Sequence, residues 1–117
     1  MKMEALADRT KQFALDIVQL EPSLHHSDAA RVLASRLLRS GTKVAARIRH
    51  ASRSRSEHQF LSRLVAVEQA LDETMLWLEL MDESRMAPAE ALAPLREESQ
   101  QLLTITVNSI RSAKRRT

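Results

Sequence analysis

Apolar residues recur along this chain at alternating spacings of three and four, the pattern of amphipathic helices that pack against one another. In the first segment, about residues 3–20, this seam consists of Met3, Leu6, Thr10, Phe13, Ile17 and Leu20. The most regular seam belongs to about residues 57–83 and consists of Phe60, Leu64, Val67, Leu71, Thr74, Leu78 and Met81. Helical periodicity predicts two further helices, over about residues 27–55 and 88–115.

Residues with known preferences for helix ends mark these boundaries. Ser27 is a suitable N-cap for the second helix, and Ser56 with Gln59 forms the S-x-x-Q pattern of a capping box at the start of the third. Pro88 suits the first position of the fourth helix. Pro94 lies farther along the same segment and removes one backbone hydrogen bond, so we expect either a kink or a break there.

Four helices joined by short connections predict an all-α fold, an antiparallel up-down-up-down four-helix bundle. The 117 residues form one predicted domain, residues 1–117, and contain a single glycine, Gly41, in the middle of the second helix. A glycine in a helix interior costs about 1 kcal/mol relative to alanine. We therefore expect either a close approach of another helix at Gly41 or a local bend.

The second helix separates apolar and basic residues onto different faces. Its apolar face consists of Leu33, Leu37, Gly41, Val44, Ile48 and Ala51. A separate stripe consists of Arg36, Arg39, Lys43, Arg47 and His50, spaced three or four residues apart. The first four of these are called the basic row below, and Arg31, Arg49 and Arg53 lie on its flank.

Charge is distributed unevenly along the chain. The net charge is +3 at pH 7, but residues 27–55 carry eight Lys or Arg against one Asp (+7), and residues 57–83 carry one Arg against seven Asp or Glu (−6). One interpretation of the basic row is a surface that follows the phosphates of a nucleic acid. The other is a solvated or subunit-contact face, paired with acids of the third helix such as Glu68, Asp72 and Glu79.

The ends of the chain and the aromatic residues refine the first interpretation. The C-terminal cations Arg111, Lys114, Arg115 and Arg116 are further candidate contacts for RNA or DNA. Aromatic residues make up 3% of the chain, and Phe13 and Phe60 lie on apolar seams. We therefore expect no platform on which single-stranded bases stack, and any binding should be directed to the backbone and depend steeply on salt.

Several classes of function lack a signal in this sequence. There is no Cys, so Cys-based zinc sites and thiol nucleophiles are excluded. His25 with His26, and His50 with His58, lack the helical spacing with a carboxylate that typifies a zinc site, and we interpret them as surface residues. No nucleophile–base constellation is recognisable. We expect no catalysis, metal or cofactor, and, without a signal peptide or an apolar span, a cytoplasmic protein with no membrane partner.

Apolar residues that lie off the helix seams predict self-association. They are Leu61, Val65, Leu76, Trp77, Ile105 and Val107. A monomeric bundle would expose several of them, and contiguous apolar patches usually mark association sites. Trp77 lies about 100° off the seam of its helix, which favours a second interface over the inner core, and Glu73 one turn earlier could face an Arg as a registry device.

Two segments resemble a known family, the small four-helix-bundle proteins encoded in 23S ribosomal RNA intervening sequences, to which the accessory variability protein of diversity-generating retroelements is related. The first segment is Leu37-Leu38-Arg39-Ser40-Gly41-Thr42, followed by Val44, Ala46, Ala51, Ser54 and Phe60. The second contains Glu73-Thr74 and Trp77-Leu78. The resemblance covers nearly the whole chain.

The resemblance implies an all-α bundle, a homopentamer around a central channel, no known enzymatic activity, and a basic surface suspected of binding nucleic acid. The sequence departs from the family pattern at Lys43, Arg47 and His50, where a small residue, Asn and Glu are usual. The second helix is therefore more cationic than in the relatives.

Three hypotheses for function follow. The first is a non-enzymatic, homo-oligomeric ring that acts as an interaction scaffold. The second is an accessory factor that binds RNA or DNA through the basic row and the C-terminal cations. The third, a metal-dependent enzyme in the bundle core, lacks the inward Glu and Glu-x-x-His ligands that such sites use.

Overall fold

The computed structural model describes residues 2–117, so Met1, the first residue of the predicted domain, lies outside the described residues. Four helices form: α1 (Met3–Leu20), α2 (Asp28–Ser52), α3 (Glu57–Glu83) and α4 (Ala89–Arg116). A short 3₁₀ turn, Glu21–Leu24, follows α1. Each helix packs against the next in the chain, and a smaller contact between α1 and α4 closes the bundle. The predicted four-helix architecture is confirmed, with α2 ending a turn before the expected residue 55.

The helix caps explain where α2 and α3 begin. The Ser27 hydroxyl oxygen accepts a hydrogen bond from the backbone N–H of Ala30 at 3.1 Å, and the Ser56 hydroxyl oxygen accepts one from the N–H of Gln59 at the same distance. The Gln59 side chain in turn accepts a bond from the N–H of Arg55 at 2.9 Å. Both predicted N-caps are therefore confirmed.

Proline marks the start of α4 but does not interrupt it. Pro88 was predicted at the first helical position but occupies the N-cap, so α4 begins one residue later, at Ala89. Pro94 lies inside α4, which continues to Arg116, so the helix does not break there. Pro94 is exposed, so water can reach the carbonyl group of Glu90 that loses its backbone partner.

Gly41 lies where α1 and α2 approach each other. A Cβ atom added to Gly41 would collide with Cδ1 of Ile17, which is fully buried. Of the two expectations, close helix approach therefore accounts for the glycine. The buried core is continuous along the bundle and contains the inner seam residues, among them Phe13, Leu37, Leu71 and Leu102.

The bundle has a hydroxyl pair at its centre, between α2 and α3. The side-chain oxygens of Ser40 and Thr74 lie 2.9 Å apart in a hydrogen bond, and both residues are buried. The Thr74 hydroxyl oxygen also lies 2.8 Å from the carbonyl oxygen of Ala70, and its single proton serves one of these two contacts at a time. This contact joins the two sequence segments on which the family resemblance rests, because Ser40 belongs to the first and Thr74 to the second.

Candidate nucleic-acid interface

The basic row lies on the outer face of α2. Its four residues, Arg36, Arg39, Lys43 and Arg47, are all exposed, whereas Leu37, Val44 and Ile48 on the inner face are fully buried. At a rise of about 1.5 Å per residue the row extends for about 17 Å along the helix. His50, the fifth residue of the predicted stripe, is exposed as well.

Within residues 2–117, the basic row forms no ion pair. The ion pairs present join Arg9 to Glu98 (2.7 Å), Arg96 to Asp82 (2.6 Å), Arg116 to Glu57 (3.1 Å) and His25 to Glu21. Glu79, one of the acids expected to face the row, instead lines a groove between α3 and α4 with Arg96. Within residues 2–117, acids of α3 therefore form no ion pair with the row inside one chain, and their pairing with it across subunits stays a prediction.

An open groove of about 520 Å³ runs between α2 and α3 beside the basic row, and it is called the α2–α3 groove below. Its walls consist of Arg31, Val32, Ser35, Arg36, Arg39, Lys43, Glu73 and Trp77. Four cations thus face one depression that contains a single acid. Such a concave cationic surface attracts and orients an anionic ligand.

Trp77 forms part of this groove, which the sequence did not predict. The guanidinium carbon of Arg36 lies over the Trp77 ring, 5.5 Å from its centroid. Trp77 is half-buried and packs against the core, so its ring is held in place. The expectation of no stacking platform rested on Phe13 and Phe60 and did not include a Trp77 ring at the groove wall.

The indole N–H of Trp77 is buried and has no hydrogen-bond partner among the described residues. A buried, unsatisfied donor of this kind costs about 1–3 kcal/mol. Glu73, one turn before Trp77, is exposed and contributes to the groove wall rather than to a buried pair with an Arg. The predicted registry device is therefore absent at Glu73.

A second groove, of about 380 Å³, lies on the other side of α2, towards α1. It combines the small residues Ala7, Ala45 and Ala46 with the basic residues Lys11, Arg49, His50 and Arg53. Arg49 and Arg53 are two of the cations that flank the basic row in the sequence. Basic residues of α2 therefore border grooves on both of its sides.

The C-terminal cations lie apart from the α2–α3 groove. Arg116 pairs with Glu57 at the start of α3, and Arg115 donates to the Ser112 hydroxyl at 3.2 Å. Arg111 and Lys114 are exposed. The tail therefore lies at the end of the bundle where α2 meets α3, whereas the groove extends towards the start of α2.

The predicted interface residues differ in their exposure. Leu76 is 45% exposed, but Leu61, Val65, Trp77, Ile105 and Val107 are half-buried within the single chain. Leu61 and Val65 pack against a small cluster with Leu64, and Ile105 packs against the main core. The other large, exposed apolar residues, which the sequence reasoning missed, are Leu15, Val18, Val32 and Leu80. Their position off the heptad seams was the available signal.

The remaining chemistry of the surface is limited. In the part of the chain that the structure describes, no group of three His, Asp or Glu residues is arranged to hold a metal ion. None of the described helices has the length and apolar character needed to cross a membrane. The pKa of Arg9 is raised by its hydrogen bond to Glu98, which stabilises the charged guanidinium at the contact between α1 and α4.

These features define an all-α four-helix bundle with an open basic groove on its surface. The chain belongs to the family of 23S rRNA-intervening sequence proteins, whose family model matches residues 4–108. The family expected from the two sequence segments is thus confirmed.

A solved structure supports this assignment. The chain is similar to a protein of unknown function from the S23 ribosomal protein family of Bacteroides thetaiotaomicron VPI-5482, with 28% sequence identity and a TM-score of 0.86. The similarity covers 95% of this chain and 99% of the other. No curated protein matches the chain significantly.

Proposed function

We propose that this chain is a non-enzymatic binding protein whose basic row holds the phosphate backbone of a nucleic acid. The observation that carries the proposal is that four exposed cations follow one another along one face of α2 and, among the described residues, none of them forms an intrachain ion pair. Cations without protein partners remain available to phosphates. A row of about 17 Å faces about five phosphates of one strand, because phosphates follow one another about every 3.4 Å along a helix axis.

The test compares two variants that change the net charge equally. Arg39→Glu with Lys43→Glu reverses two cations of the row, and Lys2→Glu with Arg85→Glu reverses two exposed cations outside it. Binding of a labelled RNA or DNA strand is measured by fluorescence anisotropy at several salt concentrations. For four phosphate contacts, the logarithm of the affinity should fall with the logarithm of salt at a slope of about −2.8 for a single strand and about −3.6 for a DNA duplex.

We expect the Arg39→Glu, Lys43→Glu variant to lose binding at low salt. The slope of log affinity against log salt should decrease in magnitude by the amount that two phosphate contacts contribute. The control pair should bind almost as the wild type does. An equal loss of affinity in both variants would show that binding depends only on the overall charge of the protein, and it would overturn the basic row as the site.

A second candidate function is a homo-oligomeric, pentameric ring that acts as an interaction scaffold. It is favoured by the exposed apolar side chains, since Leu76 and Leu80 lie one turn apart on α3 and Leu15 and Val18 lie on one side of α1. Five copies would have a mass of five times 13.3 kDa. Exposed apolar patches of this kind are typical of association surfaces.

Sedimentation velocity tests this second function. We expect Leu76→Glu with Leu80→Glu, or Leu15→Glu with Val18→Glu, to reduce the assembly to smaller species. A wild-type mass of 13.3 kDa that persists across the micromolar range would contradict any oligomer.

A further inference from the structure

We propose that the α2–α3 groove binds single-stranded nucleic acid, with one unpaired base stacked on the Arg36–Trp77 pair. This inference rests on the proposed function and adds the class of nucleic acid that the groove selects. The guanidinium carbon of Arg36 lies over the Trp77 ring, 5.5 Å from its centroid.

The Arg36–Trp77 pair has two sides with different surroundings. Trp77 packs against the core and is half-buried, whereas Arg36 is exposed and has no ion-pair partner among the described residues. The Arg36 guanidinium group therefore lies above the indole ring and lines the groove, where its planar group can support a base. A flat, cationic surface supported by an aromatic ring is a suitable platform for a nucleobase, because bases stack on guanidinium planes as well as on aromatic rings.

The surrounding residues provide the contacts that a strand requires on both sides of such a base. Arg39 and Lys43 line the groove on the same helix, and Arg31 lines it one to two turns before Arg36. A base on Arg36 would thus have phosphates within reach of cations in either direction along the strand. Glu73 is the only acid in the groove wall and can accept a hydrogen bond from an amino or imino group of the base.

Stacking on this platform requires a base with a free π-face. In a duplex both faces of each base are covered by its neighbours, so only the phosphates are available to the groove. A single strand offers both the backbone and the unstacked base. The groove should therefore prefer single strands, although the basic row alone would bind either form.

The experiment separates the base from the backbone. The wild-type protein is titrated with an oligothymidylate, with an abasic strand of equal length, and with a duplex of equal length; an oligouridylate and its abasic ribose counterpart form a parallel RNA series. Trp77 is the only tryptophan in the chain, so its fluorescence reports directly on the platform. Anisotropy of a labelled strand gives the affinity independently.

We expect the base-bearing strand to bind about tenfold more tightly than the abasic strand and to quench Trp77 fluorescence. Arg36→Lys retains the charge but removes the guanidinium plane, so it should lower this ratio towards one and leave the affinity for the abasic strand unchanged. Arg39→Lys is the matched control and should preserve the ratio. Trp77→Leu, read by anisotropy after its fold is verified by circular dichroism, should also lower the ratio.

The outcomes distinguish this inference from the proposed function. Equal affinities for the base-bearing and abasic strands would overturn base stacking and leave backbone binding intact. A ratio that survives in both Arg36→Lys and Trp77→Leu would also overturn it, because the base would then lie elsewhere. Binding of no strand at all would overturn the proposed function and this inference together. The sugar of the tighter-binding series would identify the natural strand as RNA or DNA.

Discussion

The inner face of α2 is buried against neighbouring helices, whereas its outer face is exposed and positively charged. On the inner face Leu37 is fully buried, Gly41 allows Ile17 to approach, and Ser40 shares a hydrogen bond with Thr74. On the outer face Arg39 and Lys43 are exposed and have no acidic partner within residues 2–117. Every inner residue is constrained by a neighbouring helix, whereas no contact within the bundle requires the outer ones.

The outer face is in fact unfavourable for the isolated helix. Like charges three or four residues apart repel each other by about 0.2–0.5 kcal/mol per pair. Arg36, Arg39, Lys43 and Arg47 make three such neighbouring pairs, at spacings of 3, 4 and 4. Arg36 offsets part of this cost through its contact with Trp77 on α3, whereas Arg39, Lys43 and Arg47 form no ion pair within residues 2–117. Three cations that weaken their own helix without an intrachain partner support the proposed external ligand.

The largest effect on stability is expected on the inner face, from Leu37→Ala. Leu37 is fully buried in the main core, and replacing such a residue by alanine costs about 2–5 kcal/mol because a cavity remains. Urea unfolding measures the loss. Leu38→Ala provides the control, since Leu38 is only half-buried and should cost clearly less. Equal losses at both positions would contradict the separation of the two faces.

A smaller effect is expected from Gly41→Ala, which tests the close approach of α1 and α2. The added Cβ collides with Cδ1 of Ile17, an overpacking that costs about 1–3 kcal/mol, while the better helix propensity of alanine returns about 1 kcal/mol. Ile17→Val removes the colliding Cδ1 atom. The double variant should therefore be more stable than the sum of the single changes implies, as measured in a double-mutant cycle.

An unchanged free energy of unfolding in Gly41→Ala, with no coupling to Ile17→Val, would argue against close packing at this position. In that case Ile17 would have an alternative rotamer with room for the new methyl group.

The next effect concerns the hydroxyl pair between α2 and α3. Thr74→Val preserves shape but removes the bond to Ser40, which is then left with a 3.4 Å contact to the carbonyl oxygen of Leu37. We expect a loss of about 1–2 kcal/mol from the unsatisfied Ser40 hydroxyl. Ser40→Ala combined with Thr74→Val removes both partners and should cost less than Thr74→Val alone, which urea unfolding can show. A larger loss in the double variant would contradict this interpretation.

The inner face could be predicted from the sequence, because helical periodicity identifies which residues share a face. The seams of α1 and α3 and the caps at Ser27 and Ser56 follow from short-range patterns, and the structure confirms them. The basic row was also predicted, since its exposure follows from its position on a separate face from the apolar residues of α2.

The composition of the groove could not be predicted from the same pattern. Periodicity places Trp77 and Glu79 on the two flanks of α3 but does not specify which flank faces α2 and which faces α4. The handedness of the bundle decides this, and it places Trp77 beside Arg36 and Glu79 beside Arg96. For this reason the sequence did not predict that Glu79 lies away from the basic row or that Trp77 lies beside Arg36.

The smallest change in the free energy of unfolding is expected on the outer face of α2. Its sign tests most directly whether the outer face differs from the inner face. Lys43→Ala removes a cation that repels Arg39 and Arg47 and introduces the best helix former, so the free energy of unfolding should stay within about 0.5 kcal/mol of the wild type or rise. Because salt screens the repulsion, any gain should shrink as ionic strength increases. Thermal unfolding at low and high salt measures both effects, and Lys11→Ala on α1 provides a control outside the row. A clear loss of stability in Lys43→Ala alone would show that the bundle itself depends on the row, and the main reason for assigning these cations to an external ligand would disappear.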